Sequence, residues 1–219
     1  MPEGALSVAR GHAAQLQRRY IDGVRRAAAN SVTGLARTRV SPNALTAMGV
    51  SLCFLAAVAV YFEYRDEILW FWVGAALFIV GSILDILDGA LARQSNKATP
   101  FGAFVDSTTD RLSESFVLAS VAIVFMRDAN EIALLATFAA VVGSLLVSYT
   151  RARAEALGLK GDVGLGSRAE RVVVISAGLI LAPWWIWLAL AIYVLNFTAW
   201  ITVGQRAWSV RKQLRERET

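Results

Sequence analysis

The chain has 219 residues, of which 56% are hydrophobic, and it contains seven Trp; this composition excludes an ordinary water-soluble globular domain. The net charge is +5, but the basic residues are spread over several segments and form no continuous basic stripe, so nucleic acid is not expected as a partner. The single cysteine, Cys53, excludes an intramolecular disulfide and a metal site built from thiolates. The sequence therefore indicates one membrane domain.

The first 40 residues are predicted to be a juxtamembrane segment that contains an amphipathic helix. Over residues 13–30, Leu16, Tyr20, Val24 and Ala27 fall on one face, and arginines occupy mainly the other faces. This pattern is typical of a helix that lies in the membrane interface. A merely solvated basic tail is the alternative.

Six apolar runs predict an all-α integral membrane protein with six transmembrane helices. Crossing about 30 Å of hydrocarbon takes about 20 helical residues. Four runs have nearly that length, at residues 44–62, 68–84, 132–150 and 184–203. Two shorter runs, at residues 116–126 and 172–183, follow polar stretches without a helix breaker and are predicted to be the apolar halves of longer helices. The predicted membrane domain covers residues 41–210, and a basic cytoplasmic tail follows at residues 211–219.

The distribution of basic residues predicts the orientation in the membrane. With six spans, both termini and the second and fourth connections share one side. That side holds all but two of the 22 Lys and Arg residues, and the other side holds only Arg65 and Arg127. Because the more basic side of a membrane protein faces the cytoplasm, we expect a multi-pass protein of the cell (inner) membrane with cytoplasmic termini and a cytoplasmic active site.

Four aspartates flank the turn between the second and third predicted helices. Asp85 and Asp88 end the second helix, and Asp106 and Asp110 begin the third. At about 100° per residue each pair lies on one face of its helix, so a helical hairpin brings all four carboxylates together. Small residues share these faces and are predicted to leave room for a ligand: Gly81, Gly89, Ala92 and Gly102.

Facing carboxylates at a membrane edge predict a metal site. Like charges a few ångströms apart repel strongly in a low dielectric, so four ionised aspartates require cations. Oxygen ligands without His or Cys favour Mg²⁺ or Mn²⁺, and a pair of such ions is a common means of binding a pyrophosphate group. The alternative is structural: the aspartates would charge a helix start and pair with Arg93 and Arg111.

These residues form a motif with a fixed spacing. The pattern Asp85-x2-Asp88-Gly89-x2-Ala92-Arg93-x8-Gly102-x3-Asp106-x3-Asp110 resembles the signature of the CDP-alcohol phosphotransferases at all of its fixed positions. The resemblance covers the chain from about residue 42 to the last span. It implies a six-helix homodimer with a cytosol-facing polar cavity, two bound Mg²⁺ or Mn²⁺ ions, and displacement of CMP from a CDP-linked lipid such as CDP-diacylglycerol.

The same resemblance implies a role for each residue of the motif. Asp85, Asp88 and Asp106 are expected to bind metal, and Asp110 is expected to lie near the second metal and to accept the proton of the attacking hydroxyl as the catalytic base. The CDP donor is expected to contact Asn43, Thr46, Asp85, Gly89, Ala92, Arg93 and Gly102. For Asn43 and Thr46, a Pro-Asn turn leading into a helix is the alternative.

Basic residues around the fourth connection are the candidate acceptor site: Arg151, Arg153, Arg168 and Arg171. Guanidinium groups bind phosphate dianions through paired hydrogen bonds, so a cationic pocket suits an acceptor that itself carries phosphate. This stretch resembles that of actinobacterial phosphatidylinositol phosphate synthases, which implies inositol 1-phosphate as the acceptor.

Three alternatives stay open at this point. Glycerol 3-phosphate would offer its phosphate to the same arginines, as in a phosphatidylglycerophosphate synthase. The arginines could instead serve only to anchor the cytoplasmic side to anionic lipid heads. From another class, a cation channel or transporter would use the aspartates to line an ion path.

Overall fold

A computed structural model describes residues 41–94, 99–164, 167–184 and 186–218. These ranges form six α-helices: α1 (Pro42–Tyr61), α2 (Glu67–Gln94), α3 (Pro100–Arg127), α4 (Glu131–Ala156), α5 (Arg168–Leu181) and α6 (Ile186–Glu218). Short 3₁₀ helices at Glu63–Arg65 and Ala182–Trp184 connect α1 to α2 and α5 to α6. The all-α prediction is confirmed for these residues, and the predicted N-terminal amphipathic helix lies outside them.

Four of the helices, α1, α2, α4 and α6, have the length and apolar composition needed to cross a membrane. In α3, a polar half with Asp106 and Asp110 precedes the apolar run 116–126 within one helix of 28 residues. The fifth helix, α5, has 14 residues and continues into the second 3₁₀ helix. The sixth, α6, passes residue 210 without a break, so the predicted basic tail prolongs a helix of 33 residues that is about 50 Å long.

Polar caps begin four of the helices. In each case a side-chain oxygen accepts a hydrogen bond from a backbone N–H in the first turn; the caps are Ser41, Thr99, Asn130 and Ser167. Proline follows directly at Pro42 and Pro100, where its missing N–H costs nothing. The caps of α1 and α3 matter for function, because both lie beside the aspartate motif.

Small residues let α1 approach α2 closely. A Cβ atom at Gly81 would lie 2.7 Å from Cys53 Sγ and from the Gly49 carbonyl oxygen, so only glycine fits there. The prediction that Gly81 leaves room for a ligand is therefore wrong, since the backbone of α1 occupies that space. The same helix also packs against α3, whereas α2 and α3 make few direct contacts with each other. The predicted hairpin is thus held together largely by α1.

An apolar core joins all six helices. Its fully buried members include Phe78, Leu118, Phe125, Leu179 and Leu195. In a lipid environment, close packing favours such contacts more than removal from water does. This core fixes α2, α3 and α5 relative to one another and so places the polar residues described next.

The two basic residues predicted for the opposite membrane side lie in an aromatic cluster. The guanidinium carbon of Arg127 is 4.4 Å from the ring centre of Tyr61 and 4.7 Å from that of Tyr64, and Arg127 Nη1 is 2.9 Å from Glu63 Oε1. Arg65 also lies over the Tyr64 ring. Tyrosines of this kind are typical of a membrane–water interface.

Candidate metal centre and donor cavity

Three of the four predicted aspartates form a compact cluster. One carboxylate oxygen from each of Asp85, Asp88 and Asp106 lies within 4.8 Å of the others. Asp85 and Asp88 are buried and Asp106 is partly buried. Because the donor set is all oxygen and its atoms are close enough to share a cation, the cluster fits Mg²⁺ or Mn²⁺.

The fourth aspartate, Asp110, lies beside this cluster and is paired with arginine. Arg168 Nη1 is 2.7 Å from Asp110 Oδ1 and also contacts Asp85 Oδ2. Arg111 Nη1 is 3.6 Å from Asp110 Oδ2. A guanidinium group between two carboxylates lowers their mutual repulsion. Arginine pairing therefore exists at Asp85 and Asp110, through Arg168, which the sequence assigned to the acceptor site.

Thr46 connects the first helix to the cluster. Its hydroxyl donates a short hydrogen bond to Asp88 Oδ2, across 42 residues of sequence. The close approach of α1 and α2 makes this contact possible, because Thr46 precedes Gly49 by about one turn. Thr46 thus fixes the orientation of a carboxylate in the cluster in addition to its predicted place near the donor.

A cavity of about 320 Å³ opens beside the aspartates. Its walls include six of the seven residues predicted to contact the CDP donor: Asn43, Thr46, Gly89, Ala92, Arg93 and Gly102. The seventh, Asp85, belongs to the carboxylate cluster and is not part of the wall. Asp88 and Asp106 belong to the cluster and also line the cavity, so a ligand in the cavity can share a cation with them.

Two helix N-termini open into this cavity. Ser41 and Thr99, which cap α1 and α3, belong to its wall. The start of a helix presents unpaired N–H groups and the positive end of the helix dipole, so it favours anions. A Cβ atom at Gly102 would lie 3.1 Å from Thr99 Oγ1, and one at Gly89 would lie 3.5 Å from Arg93 Nη1. Glycine therefore keeps the anion-binding groups accessible, which suits a diphosphate.

The four arginines predicted for the acceptor have different surroundings. Arg151 and Arg153 are exposed near the end of α4, and Arg151 Nε is 2.9 Å from Glu155 Oε1. Arg168 lies at the aspartates, and Arg171 is buried, with 4% of its surface exposed. The four arginines do not lie together in one site, so their joint role in acceptor binding stays a prediction.

The sequence pattern of the CDP-alcohol phosphatidyltransferase family matches residues 39–204, which include both the carboxylate cluster and the cavity. The chain belongs to this family. It is therefore a transferase, and the cation-channel alternative is not retained. Family membership also confirms the resemblance that the motif showed.

Two relatives of similar length have related names. The chain is 35% identical over 182 residues to the archaetidylinositol phosphate synthase of Pyrococcus horikoshii, covering 82% of this chain and 88% of the relative. It is 34% identical over 189 residues to the phosphatidylinositol phosphate synthase of Mycobacterium marinum, covering 81% and 76%.

Two crystal structures of Mycobacterium tuberculosis phosphatidylinositol phosphate synthase share the fold with a TM-score of 0.71. The structure with bound CDP-DAG is 28% identical to this chain and covers 84% of it and 94% of the neighbour. The structure with manganese and citrate is 29% identical and covers 84% and 88%. Together with the aspartate cluster of this chain, the manganese complex confirms the prediction of a divalent-metal cofactor.

This transferase also contains a buried ion pair that was not predicted from the sequence. Arg171 donates to both carboxylate oxygens of Glu114, with Nε–Oε1 at 2.9 Å and Nη2–Oε2 at 3.0 Å. Ser144 of α4 donates to the same carboxylate, so the network joins α3, α4 and α5. Glu114 follows Asp110 by four residues and continues the stripe of Asp106 and Asp110, and this spacing is the signal that would have found it.

We expect Arg171→Met or Glu114→Leu alone to destabilise the protein by about 3–5 kcal/mol, because each leaves an unpaired charge in the interior. The double variant should lose much less than the sum, since it removes both charges. The measurement is the thermal unfolding transition, in detergent, of the purified wild type, the two single variants and the double variant. Additive losses would show that the two residues do not stabilise the fold as a pair.

Proposed function

We propose that this transferase moves a phosphatidyl-type group from CDP-diacylglycerol to a phosphorylated polyol, with inositol 1-phosphate as the acceptor, and releases CMP in phospholipid biosynthesis. The observation that carries the proposal is the cavity in which the donor motif, two helix N-termini and metal-site carboxylates meet. The names of the archaeal and the mycobacterial relatives differ in the lipid part and agree in inositol phosphate. That agreement supports the headgroup more strongly than the lipid.

The reaction needs one proton transfer and one displacement. An acceptor hydroxyl oxygen forms a bond to the phosphorus that bears the lipid, and the bond from that phosphorus to the CMP oxygen breaks. Asp110 accepts the hydroxyl proton, and Arg93 with the N-termini of α1 and α3 orients the diphosphate. Two Mg²⁺ or Mn²⁺ ions, held by Asp85, Asp88 and Asp106 with Asp110 at the second, would supply Lewis-acid stabilisation of the developing charge.

The membrane arrangement is part of the same proposal. All six helices span the cell (inner) membrane, with the polar ends of α3 and α5 turned toward the aspartates and away from lipid. Both termini and the active site face the cytoplasm, since the basic residues concentrate at that end. CDP-diacylglycerol then enters from the surrounding lipid, and two copies of the chain form a homodimer.

Glycerol 3-phosphate is the competing acceptor, because its phosphate offers the same charge to the same arginines. A direct comparison of acceptors decides between them. With CDP-diacylglycerol as donor and CMP release as the readout, we expect inositol 1-phosphate to give the highest kcat/KM and free inositol to be a poor substrate. A higher kcat/KM for glycerol 3-phosphate would identify that compound as the acceptor instead. Efficient use of free inositol would show that the acceptor need not carry a phosphate.

Arg153 is the residue best suited to test the acceptor site by mutation, because it is exposed and its loss leaves no buried charge. We expect Arg153→Gln to raise the acceptor KM at least about tenfold, since a charged hydrogen bond contributes about 1.5–3 kcal/mol. The donor KM should change little. Arg211→Gln, which removes one exposed positive charge from α6, is the matched control. Equal rises in both KM values for Arg153→Gln would show that this arginine binds lipid headgroups or sets the membrane orientation and does not bind the acceptor.

A further inference from the structure

Between α4 and α5, residues 157–164, called here the α4–α5 connection, are bound through their backbone to the last part of α6. The side-chain amide of Gln213 makes two hydrogen bonds with Lys160: Oε1 accepts from the Lys160 N–H at 2.9 Å, and Nε2 donates to the Lys160 carbonyl at 3.0 Å. Arg217 donates to the carbonyl oxygens of Leu157 and Gly158. Residues 206–217 of α6, called here the α6 extension, thus bind the connection at Lys160 and, through Arg217, at Leu157 and Gly158.

A third α6 side chain binds the connection nearer its C-terminal end. Arg206 Nε donates to the Val163 carbonyl at 2.9 Å, and Nη1 donates to the Val147 carbonyl within α4. Only 7% of the Arg206 surface is exposed, although the sequence placed this residue with the cytoplasmic basic groups. An arginine buried between a helix and a connection, with both contacts to backbone carbonyls, holds the two in a fixed arrangement.

Glycines allow the connection to lie close to its neighbours. A Cβ atom at Gly161 would lie 2.9 Å from the Arg151 carbonyl oxygen, and one at Gly164 would lie 2.3 Å from Thr202 Cγ2 of α6. Gly164 also has a φ of +125°, a conformation that favours glycine. The connection therefore has little freedom to shift against α4 or α6.

The bound connection separates two groups of residues that matter for the reaction. Arg151 and Arg153 precede it at the end of α4, and Arg168 is the first residue of α5, in contact with Asp85 and Asp110. Residues 157–164 thus lie between the end of α4, which carries Arg151 and Arg153, and α5, which begins at Arg168.

We infer that the α6 extension is a positioning element for the acceptor site, and that Gln213 is its central residue. This inference rests on the function proposed above for the identity of the acceptor and for the assignment of Arg151, Arg153 and Arg168 to its site. The hydrogen bonds of Gln213 go to Lys160 and Ser209, and it is not among the residues that line the donor cavity in the described ranges. It acts by fixing the backbone at Lys160, so its loss affects acceptor binding and leaves donor binding intact.

The test uses Gln213→Met, which keeps the length of the side chain and removes both hydrogen bonds to Lys160. We expect the acceptor KM for inositol 1-phosphate to rise about tenfold, as for the loss of two neutral hydrogen bonds, with the donor KM unchanged. Gln213→Glu keeps the accepting oxygen and loses the donor, so its KM should fall between those of Gln213→Met and the wild type. Leu214→Met, at a neighbouring position with an apolar, exposed side chain, is the matched control and should behave as wild type.

A second readout needs no substrate. Trypsin cuts after lysine only where the backbone can detach from the fold. The backbone of Lys160 is the part of the connection that Gln213 binds. Cleavage between Lys160 and Gly161, identified by fragment mass in the full-length protein in detergent, should become about tenfold faster in Gln213→Met and stay unchanged in Leu214→Met. Unchanged cleavage overturns the inference, and so does faster cleavage with both KM values as in wild type. A wild type that transfers to neither phosphorylated acceptor would contradict the proposed function, and cleavage would still decide whether the extension holds the connection.

Discussion

Asp88→Asn is expected to abolish transfer, with a loss of at least about a thousandfold in kcat/KM. Asp88 is the most buried member of the cluster, at 2% exposure, and its Oδ2 already accepts a hydrogen bond from Thr46. Asparagine keeps the shape and loses the charge that holds a cation. Metal ions contribute several kcal/mol of transition-state stabilisation, and each 1.36 kcal/mol is a factor of ten in rate.

The direct measurement for this variant is Mn²⁺ binding, followed by the electron paramagnetic resonance signal of free Mn²⁺ during titration of the protein. We expect Asp88→Asn to bind Mn²⁺ much more weakly than wild type. Asp162→Asn, an exposed position on the α4–α5 connection, removes the same charge outside the cluster and is expected to leave Mn²⁺ binding unchanged. Near-normal Mn²⁺ affinity in Asp88→Asn would rule out the metal centre at these aspartates.

Asp110→Asn is expected to lower kcat about 10²- to 10⁴-fold, the range for loss of a general base. Asp110 lies one turn beyond Asp106 on α3, but it is not one of the three aspartates whose oxygens lie within 4.8 Å of one another. Its carboxylate is instead paired with Arg168 at 2.7 Å. The variant should therefore keep most of its Mn²⁺ affinity and its donor KM while losing turnover.

The comparison of Asp110→Asn with Asp88→Asn separates the two roles that the sequence assigned to Asp110. Weak Mn²⁺ binding with a rate loss as large as that of Asp88→Asn would make Asp110 chiefly a metal ligand. Retained Mn²⁺ binding with a lower kcat supports proton acceptance. Arg168→Gln adds a further comparison, because it removes the guanidinium shared by Asp85 and Asp110 without changing either carboxylate.

Much of the donor site follows from local spacing. Residues three or four apart on a helix lie on one face, so the positions of Asp85, Asp88 and Gly89 were enough to place them together. The caps Ser41 and Thr99 follow from the same local rules, since a polar side chain before a proline begins a helix. Hydropathy likewise predicted the helical fold and the four helices suited to spanning a membrane.

Contacts between residues distant in sequence were decided only by the tertiary structure. Gly81 shares the face of the aspartates, yet its space is occupied by the backbone of α1. Arg171 carries the charge that the acceptor prediction required, but Glu114, 57 residues away, binds it in the interior. Gln213 is 53 residues from Lys160, and nothing in its local pattern distinguishes it from other polar residues of α6. Helical periodicity tells which side chains share a face, whereas the partner of that face depends on how six helices pack, and packing is determined by the whole chain at once.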